Sequence, residues 1–231
     1  MHMLIYGTTG VPVLAFPCQD GKCDNWEGFH MPEVLQDYID GGAIQLFCVD
    51  TIDTETWSDK DGNKAHRAWL QEQYYYYIVN EAIPFIMHKN GTGALPITTG
   101  CSLGATHAAI VFLRRPDLFS GVLGLSGVYD ASRFWDGWCN DVLYNNSPVH
   151  FLPNLPDDHP YIGLYNSKKI IFCVGQGAWE DMGIQDSSLL AADFRSKGIQ
   201  AWVDFWGYDV NHDWPWWYKQ IRYFMPFLLR N

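Results

Sequence analysis

A chain of 231 residues with 48% hydrophobic and 18% charged residues has the composition of a packed globular protein, which excludes a disordered polymer, and its length argues for a single domain over 1–231. A formal charge of −11 without an offsetting basic patch excludes nucleic acid and anionic membranes as general partners and suits a neutral or weakly charged small molecule. The aromatic share of 16% fills cores and lines pockets alike, so by itself it decides between neither.

The opening MHMLIYGTTG has no basic segment followed by a long apolar run, and no stretch reaches the roughly 18 apolar residues of a membrane span, so neither leader nor anchor is expected and the cytoplasm is the default location. The same opening can add a hairpin edge strand before VPVLAFP (11–17), the first of six short apolar, β-branched runs that read as strands. The others are IQLFCVD (44–50), LPITTG (95–100), GVLGLSG (121–127), KIIFCVG (169–175) and IQAWVDFWG (199–207). Between them lie helical patterns at 31–40, 66–89, 105–115, 186–198 and 215–229, with Pro32 near one start and Gly198 at one stop. Strand alternating with helix implies an α/β fold, a mostly parallel central sheet covered by helices on both faces. The YYYY run at 74–77 must send its rings to different sides of a helix, as core and flank packing.

Two segments break the alternation: 51–65 is polar and turn-rich, and 128–168 is a long connection full of aromatics, Asn and Pro. Each follows the carboxyl end of a strand, where open α/β sheets bind ligands, so both are candidate walls of one cleft, and Trp57, Trp135 and Trp138 are candidate substrate-binding residues. Cys48 and Cys173 sit inside apolar runs and read as core thiols, while Cys18 and Cys23 could pair only in an oxidising compartment. No paired Cys or His spacing and no HExxH motif occurs, so neither a metal nor a cofactor is expected.

GCSLG (100–104) fits G-x-S-x-G, with the strand LPITT before it and the helix ATHAAIVFLRR after it. A strand turning this sharply into a helix forces strained backbone and close chain approach, which Gly100 and Gly104 permit, and it holds the Ser102 hydroxyl out over the sheet edge. The helix N-terminus beneath it supplies partial positive charge, so the Leu103 amide can stabilise an oxyanion.

A serine hydroxyl is a weak nucleophile and needs a histidine to take its proton and a carboxylate to orient that histidine, following the serine in the order acid, then His. His2, His30, His66 and His88 precede the serine, His107 lies within its helix, and His150 and His159 come before the strand that presents the acid. His212, on the loop before the last helix, remains. The loop GQGAWEDMGIQD offers Glu180, Asp181 and Asp186; Glu180 is preferred, Asp181 stays open, and Asp186 reads as a helix-start carboxylate. The second oxyanion amide belongs to the loop CQDGKCDNW, with Gln19 preferred over Cys18. Ser126 in GLSGV lacks both the elbow pattern and a following helix and reads as a decoy.

TGCSLGATHA, VGQGAWED and VNHDWPWW together resemble the α/β-hydrolase fold, and in particular the esterase family that includes S-formylglutathione hydrolases, feruloyl esterases, enterochelin esterases and mycolyltransferases. The resemblance spans nearly the whole chain and implies a serine carboxylesterase with Ser102 as nucleophile, His212 as base and Glu180 as orienting acid, acting on a small-molecule ester through an acyl-enzyme. Members whose acid is Asp leave Asp181 open. Alternatives are an acyltransferase with the same triad or a non-catalytic binding protein that kept the fold. An oligomer is compatible with the rings around WPWW.

Overall fold

The computed structural model describes residues 1–230; Asn231, the last residue of the expected domain, lies outside the described residues. Its centre is a seven-stranded sheet in the order β1-β3-β2-β4-β5-β6-β7. The six apolar runs supply β2 (Val11–Phe16), β3 (Ile44–Val49), β4 (Ile97–Cys101), β5 (Gly121–Leu125), β6 (Lys169–Val174) and β7 (Trp202–Phe205), all mutually parallel. Residues of β3, β4 and β5 are buried throughout. A strand covered on both faces has no polar side to alternate with, hence continuous apolar runs.

β1 (Met3–Tyr6) is an edge strand, but not the hairpin partner of β2. It pairs antiparallel with β3, Met3 opposite Val49. Both edges of β2 are already taken, by β3 and by β4, so β1 cannot pair with it and takes the free outer edge of β3 instead.

Five longer helices cover the sheet: α1 (Lys64–Tyr77), α2 (Ile83–Asn90), α3 (Leu103–Arg114), α4 (Asp181–Ser196) and α5 (Trp214–Leu229). Leu14 and Phe16 point into the apolar layer shared with α1, α2, α3 and α4. Their neighbours Val13 and Ala15 point into the opposite layer, which holds Trp217, Ile221, Phe224 and Met225 of α5, the period-two alternation of a strand. The expected single helix over 66–89 is interrupted by a π turn at Ile78–Ala82. Pro84 has no N–H to continue the i→i−4 ladder, and the break lies in the turn just before it. The four tyrosines divide as their angles require: Tyr74 and Tyr75 are buried and Tyr76 is exposed. The helical pattern at 31–40 forms two short turns, Met31–Val34 and Gln36–Asp40, parted at Leu35. Among the described residues no helix is long and apolar enough to cross a membrane.

β2 and β4 are neighbours, yet the chain leaves β2 toward β3 on one side and leaves β4 toward β5 on the other. At such a switch point the two connections diverge and open a crevice at the carboxyl ends of the strands. The loop after β2 and the GCSLG turn after β4 meet in that crevice.

Candidate active site

Ser102 occupies φ 55, ψ −128, a region that costs a non-glycine residue energy and persists only where its surroundings enforce it. Its amide donates to Leu125 O at 2.9 Å, anchoring the turn to β5. A Cβ on Gly100 would run into the backbone of Gly104, and one on Gly104 would lie 2.5 Å from the carbonyl oxygens of Phe16 and Pro17. The two glycines therefore let β4, the start of α3 and the loop after β2 approach backbone to backbone.

The hydroxyl meets His212 there. His212 Nε2 lies 2.9 Å from Ser102 Oγ, and His212 Nδ1 lies 3.1 Å from Glu180 Oε2. A carboxylate only accepts, so the proton of the neutral ring belongs on Nδ1 and Nε2 is left free to accept the serine proton. The loops carrying the two partners are laced together: the Gly177 amide donates to Val210 O at 2.8 Å, the His212 amide to Ala178 O at 3.0 Å, and the Ala178 amide to Asn211 Oδ1 at 2.8 Å. Trp179, at φ 69 and 86% exposed, makes the turn that sends Glu180 inward. Glu180 is fully buried, whereas Asp181 is exposed at the first position of α4.

Beneath the carboxylate lies a residue the sequence reading set aside. Ser126 Oγ donates to Glu180 Oε1 at 2.6 Å and accepts from Trp217 Nε1 at 3.0 Å; the Gly175 amide also donates to Oε1, at 3.3 Å. Trp217 in turn sets its ring edge-on to that of His212, 5.0 Å between centroids. Ser126 is thus no decoy without a role. It stands at the carboxyl end of β5, and that position was the available clue.

The cleft is about 180 Å³, lined by Gln19, Ser102, Leu103, Val128, Phe134, Trp179, Met182, Gly183 and His212. A larger hollow of about 590 Å³, lined by Lys168, Lys169, Gln200 and Arg230 among others, lies at the opposite ends of β6 and β7 and holds no nucleophile–base pair. Leu103 and Gln19 both line the cleft. Cys18, the other candidate for the second amide donor, has its N–H engaged by Asn25 Oδ1 at 3.0 Å. Burial, reinforced by Asp53, also pushes the Cys18 thiol up to about 12.

The three tryptophans are corrected. Trp57 and Trp135 are fully buried and packed edge to face, 5.1 Å between centroids, while Trp138 is half-buried against the core; none of the three lines the cleft. Their indoles serve the core instead: Trp57 Nε1 donates to Gln71 Oε1, Trp135 Nε1 to Lys64 O, and the Arg67 guanidinium covers the Trp135 ring at 4.5 Å. The rings at the cleft are Phe134 and Trp179. The connection 128–168 contributes a wall through Val128 and Phe134, whereas segment 51–65 contributes none. Asp186 is also not a helix-start group. It is buried in the sixth position of α4, where it accepts the amides of Tyr129 and Asp130 and pairs with Arg133 at 2.7 Å.

The sequence profile of the family described as "Putative esterase" matches residues 2–223. No curated protein matches the chain in sequence. Among solved structures, a ferulic acid esterase superposes with a TM-score of 0.69 at 17% identity, covering 96% of this chain and 86% of its own. MPT51 (FbpC1) of Mycobacterium tuberculosis gives 0.72 at 12%, covering 98% and 91%. The S-formylglutathione hydrolase FrmB of Staphylococcus aureus gives 0.65 at 13%, covering 97% and 83%. At such identities the likeness establishes the α/β-hydrolase fold, and it spans nearly the full chain in each case.

Proposed function

This chain belongs to the esterase family and is a carboxylic ester hydrolase, and from that premise we propose that it cleaves a small, uncharged ester through Ser102, His212 and Glu180. The observation that carries the reading is the unbroken hydrogen-bonded line from Ser102 Oγ through His212 to the buried Glu180. Ser102 Oγ attacks the ester carbonyl carbon while His212 Nε2 takes its proton. The carbonyl oxygen becomes an oxyanion accepting from the Leu103 and Gln19 amides. Collapse breaks the bond to the alcohol oxygen, which leaves with the proton from His212, and the acyl group stays on Ser102. A water then loses its proton to His212 and attacks the acyl-enzyme, releasing the carboxylic acid and restoring the serine hydroxyl. The Glu180 carboxylate holds the ring in its tautomer and balances the imidazolium.

The cleft volume, about 180 Å³, is below the range of pockets that enclose drug-sized ligands. It suits a short acyl group, with Phe134, Met182 and the exposed Trp179 ring as the apolar surface for the rest of the substrate. The His212 side chain is 22% exposed, so a water can reach the base for the second half of the reaction. All six cysteines are free, which suits a reducing compartment, and we assign the enzyme to the cytoplasm.

The test is a series of p-nitrophenyl esters of increasing acyl length with the wild type and Ser102→Ala. The variant is expected to fold normally and to lose about 10⁴- to 10⁶-fold in kcat, and acetate or butyrate esters are expected to outrun long-chain ones in kcat/KM. Full activity in Ser102→Ala would overturn the reading.

A further inference from the structure

Segment 51–65 does not line the cleft, yet its contacts converge on the loop that carries Gln19. Asp53, 1% exposed, accepts the Asp20 amide on Oδ2 at 3.2 Å and faces His107 Nε2 with Oδ1 at 2.9 Å. The Asp53 carbonyl accepts the amides of Thr56 and Ser58, and from that turn Ser58 Oγ accepts a hydrogen bond from Gln19 Nε2 at 2.7 Å. His107 lies on α3, the helix that begins at the elbow. It is 1% exposed and ringed by Phe16, Trp57 and Tyr74 at 5.8, 5.6 and 5.3 Å.

The loop held by these contacts has an energetic reason to need holding. Residues 18–21 form a turn closed by the Gly21 amide on Cys18 O at 2.9 Å, with Gln19 and Asp20 at its centre and Asp20 at φ 62. Positive φ at the third position marks a type II turn, which favours glycine there; an aspartate prefers the type I form, reached by flipping the peptide between the two central residues. That peptide carries the Asp20 N–H. By accepting it, the Asp53 carboxylate selects the flip that the residue itself disfavours, and His107 ties the carboxylate to the helix that starts at Ser102.

We infer that Asp53 and His107, helped at the surface by Ser58, form a brace that fixes the Gln19 amide relative to Ser102 and so sets the oxyanion site. They are positioning residues: none touches substrate. The inference rests on Ser102 as nucleophile and Gln19 as amide donor.

The experiment uses the full chain with Asp53→Ala, His107→Phe, His107→Gln and Ser58→Ala. It measures kcat and KM on p-nitrophenyl acetate per site titrated with a fluorophosphonate, and inhibition by an alkyl trifluoromethyl ketone whose adduct carries an oxyanion. Losing an oxyanion donor outright costs about 10²–10³ in kcat; a displaced donor should cost less, about 10- to 100-fold in Asp53→Ala and His107→Phe at nearly unchanged KM. Inhibitor affinity should fall in parallel, and the pH midpoint of kcat/KM should stay put. His107→Gln, which restores an N–H toward Asp53, should recover most of the loss. Variants that lose thermal stability but keep kcat per site within about twofold would overturn the brace as a merely structural contact. If the buried variants do not fold, Ser58→Ala decides, since its bond is at the surface: a several-fold fall in kcat supports the brace and an unchanged kcat overturns it. Retained activity in Ser102→Ala would instead mark failure of the nucleophile assignment.

Discussion

Glu180 and Asp181 are adjacent in sequence and opposite in environment. Glu180 is buried with Ser126, Gly175 and His212 around its two oxygens, while Asp181 faces solvent. Glu180→Gln replaces an acceptor-only carboxylate by an amide that can hold the wrong histidine tautomer. It is expected to lower kcat by about 10³- to 10⁴-fold, and Asp181→Asn to leave kcat within about twofold, both read on one short p-nitrophenyl ester. A larger loss in Asp181→Asn than in Glu180→Gln would reverse the assignment. Ser102, His212 and Glu180 were legible as candidates because each follows a strand end, in the chain order that this architecture imposes. Ser126 was not, because its use depends on the indole of Trp217, 91 residues away. Trp57 and Trp135 misled for a physical reason: an indole buried in a core and one lining a cleft make the same composition, and only packing distinguishes them.

Among the elements, the helices are held to one another by ion pairs that sequence spacing does not reveal. Arg114 on α3 makes a two-pronged contact with Glu72 on α1 at 2.7 and 2.8 Å, and Asn146 of the long connection donates to the same carboxylate at 2.8 Å. Burial alone would raise the Glu72 pKa, but the Arg114 and Asn146 hydrogen bonds together with the Arg114 charge overcome it and hold the carboxyl below its ordinary value. A carboxyl depressed in the folded state contributes stability above its unfolded pKa and loses it as pH falls through the folded one. Glu72→Gln is therefore expected to destabilise by about 1–3 kcal/mol near neutral pH, by urea unfolding. The gap to wild type should shrink as the medium is acidified below the ordinary carboxylate range, and a gap independent of pH would refute the charge argument. The strands were legible because burial on both faces makes their runs continuously apolar. The pairing of β1 with β3 was not, because it depends on which edges remain free once the parallel ladders are built.

At the scale of the whole molecule, the crevice between β2 and β4 follows from strand order, and the net charge of −11 sets the field around it. The alternation of strand and helix made the layered sheet legible, but not which loops turn inward: 51–65 and 128–168 both follow strand ends, and only the second lines the cleft. Among the described residues, no lysine or arginine lines it, and Asp20, Asp181, Asp209 and Asp213 are exposed on the loops that carry or flank its residues. A field of one sign repels like-charged ligands over a Debye length, about 30 Å at 0.01 M salt and 8 Å at 0.15 M. Such repulsion is expected to lower the encounter rate of an ester that is already an anion. With p-nitrophenyl acetate beside p-nitrophenyl hemisuccinate, kcat/KM for the neutral ester should hardly respond to salt, while that for the anionic ester should start lower and rise several-fold between these ionic strengths. If the two esters respond alike, the acidic surface has no part in choosing the substrate, and selection rests with the walls formed by Phe134, Trp179 and Met182.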